Sequence, residues 1–355
     1  MRYYEITIVD PNNPDAAPTV YKSQQSNGRP DPGALNIQFD IPISTYDNPQ
    51  GNSSLHIWGI PLQSIANAFY ENGKNIYIKA GFQRGLPLAT EAAKFAGPIF
   101  QGQVLQCFGN WQGTEMTLHY MITGGLAEAT ASSSPATAMQ SSNVAPASAP
   151  LTGDLTQPFN GVFNWPANAS LEQALKQFFA TSMKVNNPYI SINPTLVAPS
   201  AQPGVYSSLN QFADWLRQFT QRQIGGSYNG VTIQQNANGI FVVTDGTQPT
   251  SPTNDPNEPK TVTVDFKDYI GQPTWINVQT IQFKTAMRTD INVNDTAILP
   301  SGFFGIASQQ PFAQQNYRDK LAQNGSFIIN SVRHVGNFRQ PDANSWVTVF
   351  EGVPS

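Results

Sequence analysis

Leu55-His56-Ile57-Trp58-Gly59-Ile60, Pro61-Leu62-Gln63-Ser64-Ile65-Ala66-Asn67-Ala68-Phe69 and Asn75-Ile76-Tyr77-Ile78-Lys79-Ala80-Gly81-Phe82 follow one another with little between them. The first alternates apolar residues on a period of two, the signature of a half-buried strand. The second changes period: Leu62, Ile65, Ala66 and Phe69 fall at i, i+3, i+4 and i+7, with Pro61 suited to a first helical turn, so a short amphipathic helix is expected. The third returns to period two, with Ile76, Ile78, Ala80 and Phe82 on one face. Pro98 to Val104 and the alternation of Met116, Leu118, Tyr120 and Ile122 complete a run that predicts a small curled sheet capped by a helix.

Upstream, Tyr4, Ile6 and Ile8 alternate, Thr19 to Ser23 is a short strand, and Leu35, Ile37, Phe39 and Ile41 alternate again. Residues 1–125 therefore read as about seven short strands separated by Gly and Pro turns, which points to a barrel or sandwich. Residues 126–157 are rich in Ala, Ser, Thr and Pro, without aromatic residues over 127–155, and read as a linker that could order against a neighbouring subunit. Residues 158–246 alternate helix and strand: Leu171, Ala174, Leu175 and Phe178 face inward on one helix, Leu209, Phe212, Leu216 and Phe219 on a second. Strands are expected at Tyr189 to Ile192, Gly230 to Ile233 and Gly239 to Val243, the last two forming a hairpin. Residues 247–355 return to strand pattern. Thr261 to Val264 is a strand, and in Trp275 to Met287 the phase slips between Ile276, Val278 and Ile281, Phe283, Thr285, Met287, which implies a bulge or bend. Ile291 to Leu299 supplies another strand. Phe303, Phe304, Ile306 and Phe312 lie in a Gln-rich loop and either tuck onto their own domain or anchor in a partner.

The last hairpin, Ser326 to Phe338 and Ser345 to Gly352, has the plan of Gly102 to Trp111 and Glu115 to Tyr120. Phe108-Gly109-Asn110-Trp111 answers Val335-Gly336-Asn337-Phe338, which suggests one barrel present twice.

Strand, short helix, a strand ending in Ala80-Gly81-Phe82, then Gly97-Pro98-Ile99-Phe100-Gln101-Gly102-Gln103-Val104 resembles the first barrel of baseplate hub proteins of contractile-tailed bacteriophages, relatives of type VI secretion spike proteins. The resemblance implies a mainly β chain in which two tail-tube-like barrels, 1–125 and 247–355, are separated by the linker and a small α/β module. It further implies a homotrimer in the virion tail baseplate, assembled in the bacterial cytoplasm, that joins a six-fold tail tube protein to a three-fold central spike protein. Tape-measure and wedge proteins are further candidate partners, and DNA is a partner only in passage through the lumen. The resemblance is architectural and carries no catalytic, cofactor or metal residue; no lysozyme-like segment is present.

Composition agrees with such a role. Charged residues make up 12% of the chain, against roughly 25% in ordinary domains, and the surface is correspondingly rich in amides, as suits broad permanent contacts. The formal net charge of −4, without a Lys/Arg cluster, argues against a nucleic-acid binder. Cys107 is the single cysteine, so no internal disulfide forms, and a buried small residue is expected there. The N-terminus lacks the layout of a signal peptide, and no apolar run is long enough to span a bilayer.

A search for chemistry returns little. His56, His119 and His334 are dispersed along the sequence, each in a strand, unlike metal ligands. Asp265 with Asp268 and Asp290 with Asp295 are conceivable carboxylate pairs but read as solvated turns. Asp10 to Asp15 lacks the glycine and distal glutamate of a calcium loop, and Gly124-Gly125 and Gly225-Gly226 read as turns. The competing reading is a carbohydrate-binding or polysaccharide-degrading β protein with Trp58, Trp111, Trp275 and Trp346 as sugar platforms.

Overall fold

The computed structural model describes residues 1–13, 15–43, 52–82, 92–124, 161–183, 185, 188–226, 228–246, 258–277, 280–300, 307–308 and 325–354. The linker at 126–157 and nearly all of the Phe303 to Gln323 loop lie outside them.

The front region contributes β1 (Arg2–Val9), β2 (Thr19–Lys22), β3 (Asn36–Ile43), β4 (Asn52–Trp58), α1 (Leu62–Ala66), β5 (Asn75–Phe82), α2 (Ala92–Phe95), β6 (Ala96–Gln112) and β7 (Glu115–Gly124). Its seven strands match the expected number, and the apolar alternations fall on one buried face: Ile6, Ile37, Ile57, Ile76, Ile78 and Ile122 are fully buried. The helix departs from expectation. It converts at Asn67 into a 3-10 turn, Ala68–Glu71, which breaks the 3.6-residue period, so the expected core stripe does not hold: Leu62 and Phe69 point to solvent, and Ala68 is the buried residue.

The rear region contributes β13 (Thr261–Thr263), β14 (Thr274–Trp275), β15 (Ile281–Ala286), β16 (Thr296–Ile298), β17 (Ala307–Ser308), β18 (Ser326–Asn337) and β19 (Trp346–Pro354). The phase slip in Trp275 to Met287 is a reversal rather than a bulge: β14 and β15 pair antiparallel, and Ile276 N–H donates to Thr280 O at 3.0 Å. The first strand buries Trp275 and the second Ile281 and Phe283, while Ile276 is half-buried beyond the first strand and Val278 lies outside the described residues. Of Ile291 to Leu299 only Thr296–Ile298 is strand, while Ile291 and Val293 are buried from a turn.

All of these strands form one sheet, in the order β17-β14-β15-β19-β18-β3-β4-β7-β6-β5-β1-β2, with β16 on β18 and β13 on β16. The two regions have the same internal order. In front, strands run β3-β4-β7-β6-β5-β1; behind, β14-β15-β19-β18-β16-β13, the same succession in chain order. Each region also carries a register shift in the first strand of its long hairpin, between Val104 and Gln106 in β6 and between Ile329 and Ser331 in β18. They differ at one edge: β1 is antiparallel to β5, but β13 is parallel to β16. Front and rear share a contiguous core that includes Tyr4, Phe39, Phe100, Trp275, Phe283, Trp346 and Phe350.

Between them lies a second core. β8 (Gly161–Trp165) pairs with β10 (Gln202–Tyr206), and β9 (Tyr189–Ser191), β11 (Thr232–Gln235) and β12 (Phe241–Thr244) make a second small sheet. α3 (Leu171–Ser182) and α4 (Leu209–Ile224) pack Leu175, Phe178, Phe179, Phe212 and Leu216 against Phe163, Ile233 and Val243. Both helices begin where the sequence places a serine: Ser170 Oγ accepts from Gln173 N–H and Ser208 Oγ from Gln211 N–H. Gly225, at φ 75°, ends the second helix and lets its N–H reach Gln221 O. The β8–β10 pair was not visible in the sequence, because Gly161–Trp165 exposes Val162 and buries Phe163 and Trp165 under helices rather than in a long sheet.

Candidate functional site

The functional candidate is the seam where front and rear meet, together with the solvent-facing side of the sheet that crosses it. β3 and β18 pair antiparallel over six residue pairs, from Val332↔Ile43 to Asn337↔Gln38. Gly336 is required there: a Cβ at that position would lie 2.2 Å from Phe39 Cζ, so the Phe39 ring lies across the glycine and reaches Trp346 at 5.2 Å. The front glycine that the sequence pairs with it, Gly109, plays the same part toward Ile65 of α1, at 2.4 Å. Both glycines permit a close approach rather than a turn.

Charged groups fasten the seam. Arg2, in the first strand, donates through Nη1 to Asn337 O (2.7 Å), Phe338 O and Gln340 O, and through Nη2 to Asp342 O (3.0 Å) and Ser345 Oγ (2.9 Å). It thereby satisfies the carbonyls of the connection between β18 and β19 from the other end of the chain. Trp346 Nε1–H donates to Gly81 O at 2.8 Å. On the far side, fully buried Arg288 pairs with Asp290 through Nε and Nη2, both at 2.7 Å, and with buried Asp268 at 3.2 Å. Lys94 of α2 reaches Asp268 at 2.8 Å, and its carbonyl accepts from Thr289 N–H. A buried pair of this kind is costly to desolvate and does not by itself add much stability, but once formed it admits only one geometry.

These contacts correct the sequence reading of the acids. Asp268 and Asp295 are not solvated turn residues: both are buried, Asp268 among cations and Asp295 accepting from Lys260 N–H (2.9 Å) and Asn292 N–H (2.7 Å). Burial pushes the Asp295 carboxyl up to about 6, against those two hydrogen bonds. Asp265 and Asp290 face Lys94 and Arg288 respectively. Each of the four acids is thus engaged by a cation or by backbone N–H groups, which is the arrangement of a brace rather than of an acid/base couple.

All three histidines lie in strands, as expected, and two of them come together in space. His56 and His119, 63 residues apart, are directly opposite on β4 and β7, with ring centroids 4.2 Å apart. His119 stacks on Phe108 and its Nε2 lies 3.0 Å from Thr117 Oγ1. Burial lowers both pKa values, and at His56 the charge of His119 lowers it further. No third His, Cys, Asp or Glu joins them among the described residues. His334 is separate and buried, its Nδ1 3.0 Å from Thr348 Oγ1, and burial takes it down to about 3. Cys107 is buried, its thiol raised to about 12, and Asp10 closes an ordinary turn onto Asn12 N–H. Trp275 and Trp346 are core residues and offer no sugar platform; only Trp111 of the four is largely exposed.

The pairing registers place Asn337, Gln38, His56, His119 and Phe108 in one rung across five strands, from rear to front. The next rung is Val335, Asp40, Ser54, Met121 and Gln106. Around them Arg333 pairs with Asp40, and Gln282 donates to Glu351 at 3.1 Å near Lys284. These two rungs and their neighbours thus carry two cations and two anions among amides, hydroxyls, imidazoles and the apolar Phe108, Met121 and Val335.

Neither a family model nor a curated protein sequence matches the chain. Its structural neighbours are phage-type tail proteins and VgrG-containing complexes. The chain is similar to the 43 kDa tail protein of prophage MuSo2 from Shewanella oneidensis, at 9% identity and a TM-score of 0.46, covering 99% of this chain and 97% of that one. It is similar also to a tail protein from Neisseria meningitidis MC58, at 8% identity and a TM-score of 0.47, covering 99% and 96%. A half-lidded Francisella PdpA-VgrG complex aligns at 8% identity and a TM-score of 0.44 over the whole of this chain and 58% of the other. No helix among the described residues is long and apolar enough to cross a membrane.

Proposed function

We propose that the chain is a structural baseplate hub of a phage-like contractile tail, a homotrimer that joins a six-fold tail tube to a three-fold central spike. The observation that carries this reading is the doubled strand order: residues 1–125 and 247–355 are read as two related barrels, with 126–157 as linker and 158–246 as the intervening module. Three copies then offer six near-equivalent sheets to six tube subunits, which a closed cyclic assembly with one barrel per chain could not do with three copies. The seam fixes the angle between the two barrels of each copy, and that angle must be uniform for the ring to close.

The face that crosses the seam is the natural lining of the lumen. Its charges are balanced and few, so a DNA backbone meets neither an attractive basic patch nor a strongly repulsive wall. The role is architectural, without a reaction, in the virion tail. Electron microscopy of the chain mixed with its tube and spike proteins tests the proposal: a ring capping the tube end supports it, and a chain that decorates neither partner overturns it.

A further inference from the structure

The rear half shows what belongs on the open edge of the front half. β18 changes neighbour along its length: Ser326–Ile328 pair with β16, and beyond the register shift Val332–Asn337 pair with β3. β6 is built in the same way, with Ala96–Gln103 on β5 and a register shift after Val104. Beyond it, among the described residues, no strand pairs with 106–112 on the side away from β7. There Cys107 N–H is met by a side chain, Asn72 Oδ1 at 2.6 Å. Phe108 and Trp111 lie on this edge strand, and α1 and the 3-10 turn beside it carry the exposed Leu62, Phe69 and Tyr70; Phe69 and Trp111 are 75% and 61% exposed. An unpaired strand edge flanked by exposed aromatic residues is an association surface.

The rear counterpart of β3 is the segment running along the far side of β15. Tyr269 bridges Thr285, Ile270 N–H donates to Lys284 O, and Thr274–Trp275 pair with Gln282 and Ile281. We propose that residues 106–112 of one copy receive residues 269–275 of a second copy, as Val332–Asn337 receive β3 within the chain. Within one chain six strands, β15, β19, β18, β3, β4 and β7, separate β14 from β6, and copies arranged head to tail bring the two edges together. β17 holds the 269–275 edge through two residue pairs, against six for β3 on β18, and gives way to the longer pairing. The inference rests on the ring reading above and adds which edges meet.

Disulfide trapping tests it, with Asn110→Cys and Gln272→Cys combined in a Cys107→Ala background. Mild oxidation should give a ladder on non-reducing gels that ends at three chains and is absent from each single-cysteine variant. Trp111→Asp, with its circular dichroism unchanged, should shift sedimentation from three chains toward one. If the unaltered chain is a trimer yet neither the cross-link nor the Trp111→Asp shift occurs, the edge assignment is overturned and the ring reading stands. If the unaltered chain sediments as a monomer with tube and spike proteins present, both fall.

Discussion

At the scale of single residues the account depends on buried groups that fix the rear side of the seam, where Asp268 receives Lys94 from the front. Arg288 has no solvent exposure and answers Asp268 and Asp290 at once, so Arg288→Met takes from Asp290 its two hydrogen bonds and from buried Asp268 one of its two cations. The expected loss is about 3–5 kcal/mol, the range for breaking a buried ion pair by removing one partner, read from urea denaturation. His334 gives a pH signature. Its imidazole stays neutral in the folded chain down to about 3, whereas the unfolded chain takes the proton near 6.5. The unfolded state therefore binds more protons between those values, and this group's contribution is complete above 6.5 and is lost as pH falls. Asp295 runs the other way, since its folded carboxyl is raised from 3.8 to about 6 and its contribution fades as pH rises through that window. Comparison with His334→Gln isolates the imidazole: the stability advantage of the unaltered chain should shrink by about 1.2 kcal/mol from pH 6 to pH 5. An advantage independent of pH would show that the imidazole is not held neutral. None of this was legible in the sequence. The acids of the brace come from separate loops, and His56 meets His119 only because β4 and β7 are neighbours.

Secondary elements were more legible, because a sheet with one buried face writes period two into its strands. Tyr4, Ile6 and Ile8, Leu118, Tyr120 and Ile122, and the inward stripes of α3 and α4 all hold in three dimensions. Where the reading failed, the local pattern was ambiguous for a physical reason. The Leu62 to Phe69 stripe is too short for its period to survive a 3-10 turn, and the slip after Trp275 looks alike in sequence for a bulge and for a reversal between two strands. The glycines of the two long hairpins make an element-scale prediction. Gly336→Val would drive a branched side chain into the Phe39 ring between two paired strands, and overpacking of this kind costs about 1–3 kcal/mol. Gly109→Ala meets Ile65 on a short helix at the surface, which has more freedom to move, so its melting temperature should fall by less than that of Gly336→Val. Equal losses would mean that the two glycines are equally confined.

At the scale of the whole molecule, a Gly-Asn pair flanked by apolar residues in two hairpins was the sequence trace of duplication, and the strand order carries it much further. Six strands in front and six behind follow the same succession, joined edge to edge through β3 and β18. Backbone pairing preserves such a plan while side chains diverge, since a strand's position in a sheet depends on alternation and connection lengths rather than on particular residues. The duplication gives the chain its proposed use: one polypeptide presents the same sheet twice at an angle set by Arg2, Lys94, Arg288 and the Phe39–Gly336 contact. Sedimentation of the purified chain at micromolar concentration tests this most directly. The account predicts a single species with the mass of three chains, and a well-behaved monomer at that concentration would contradict it.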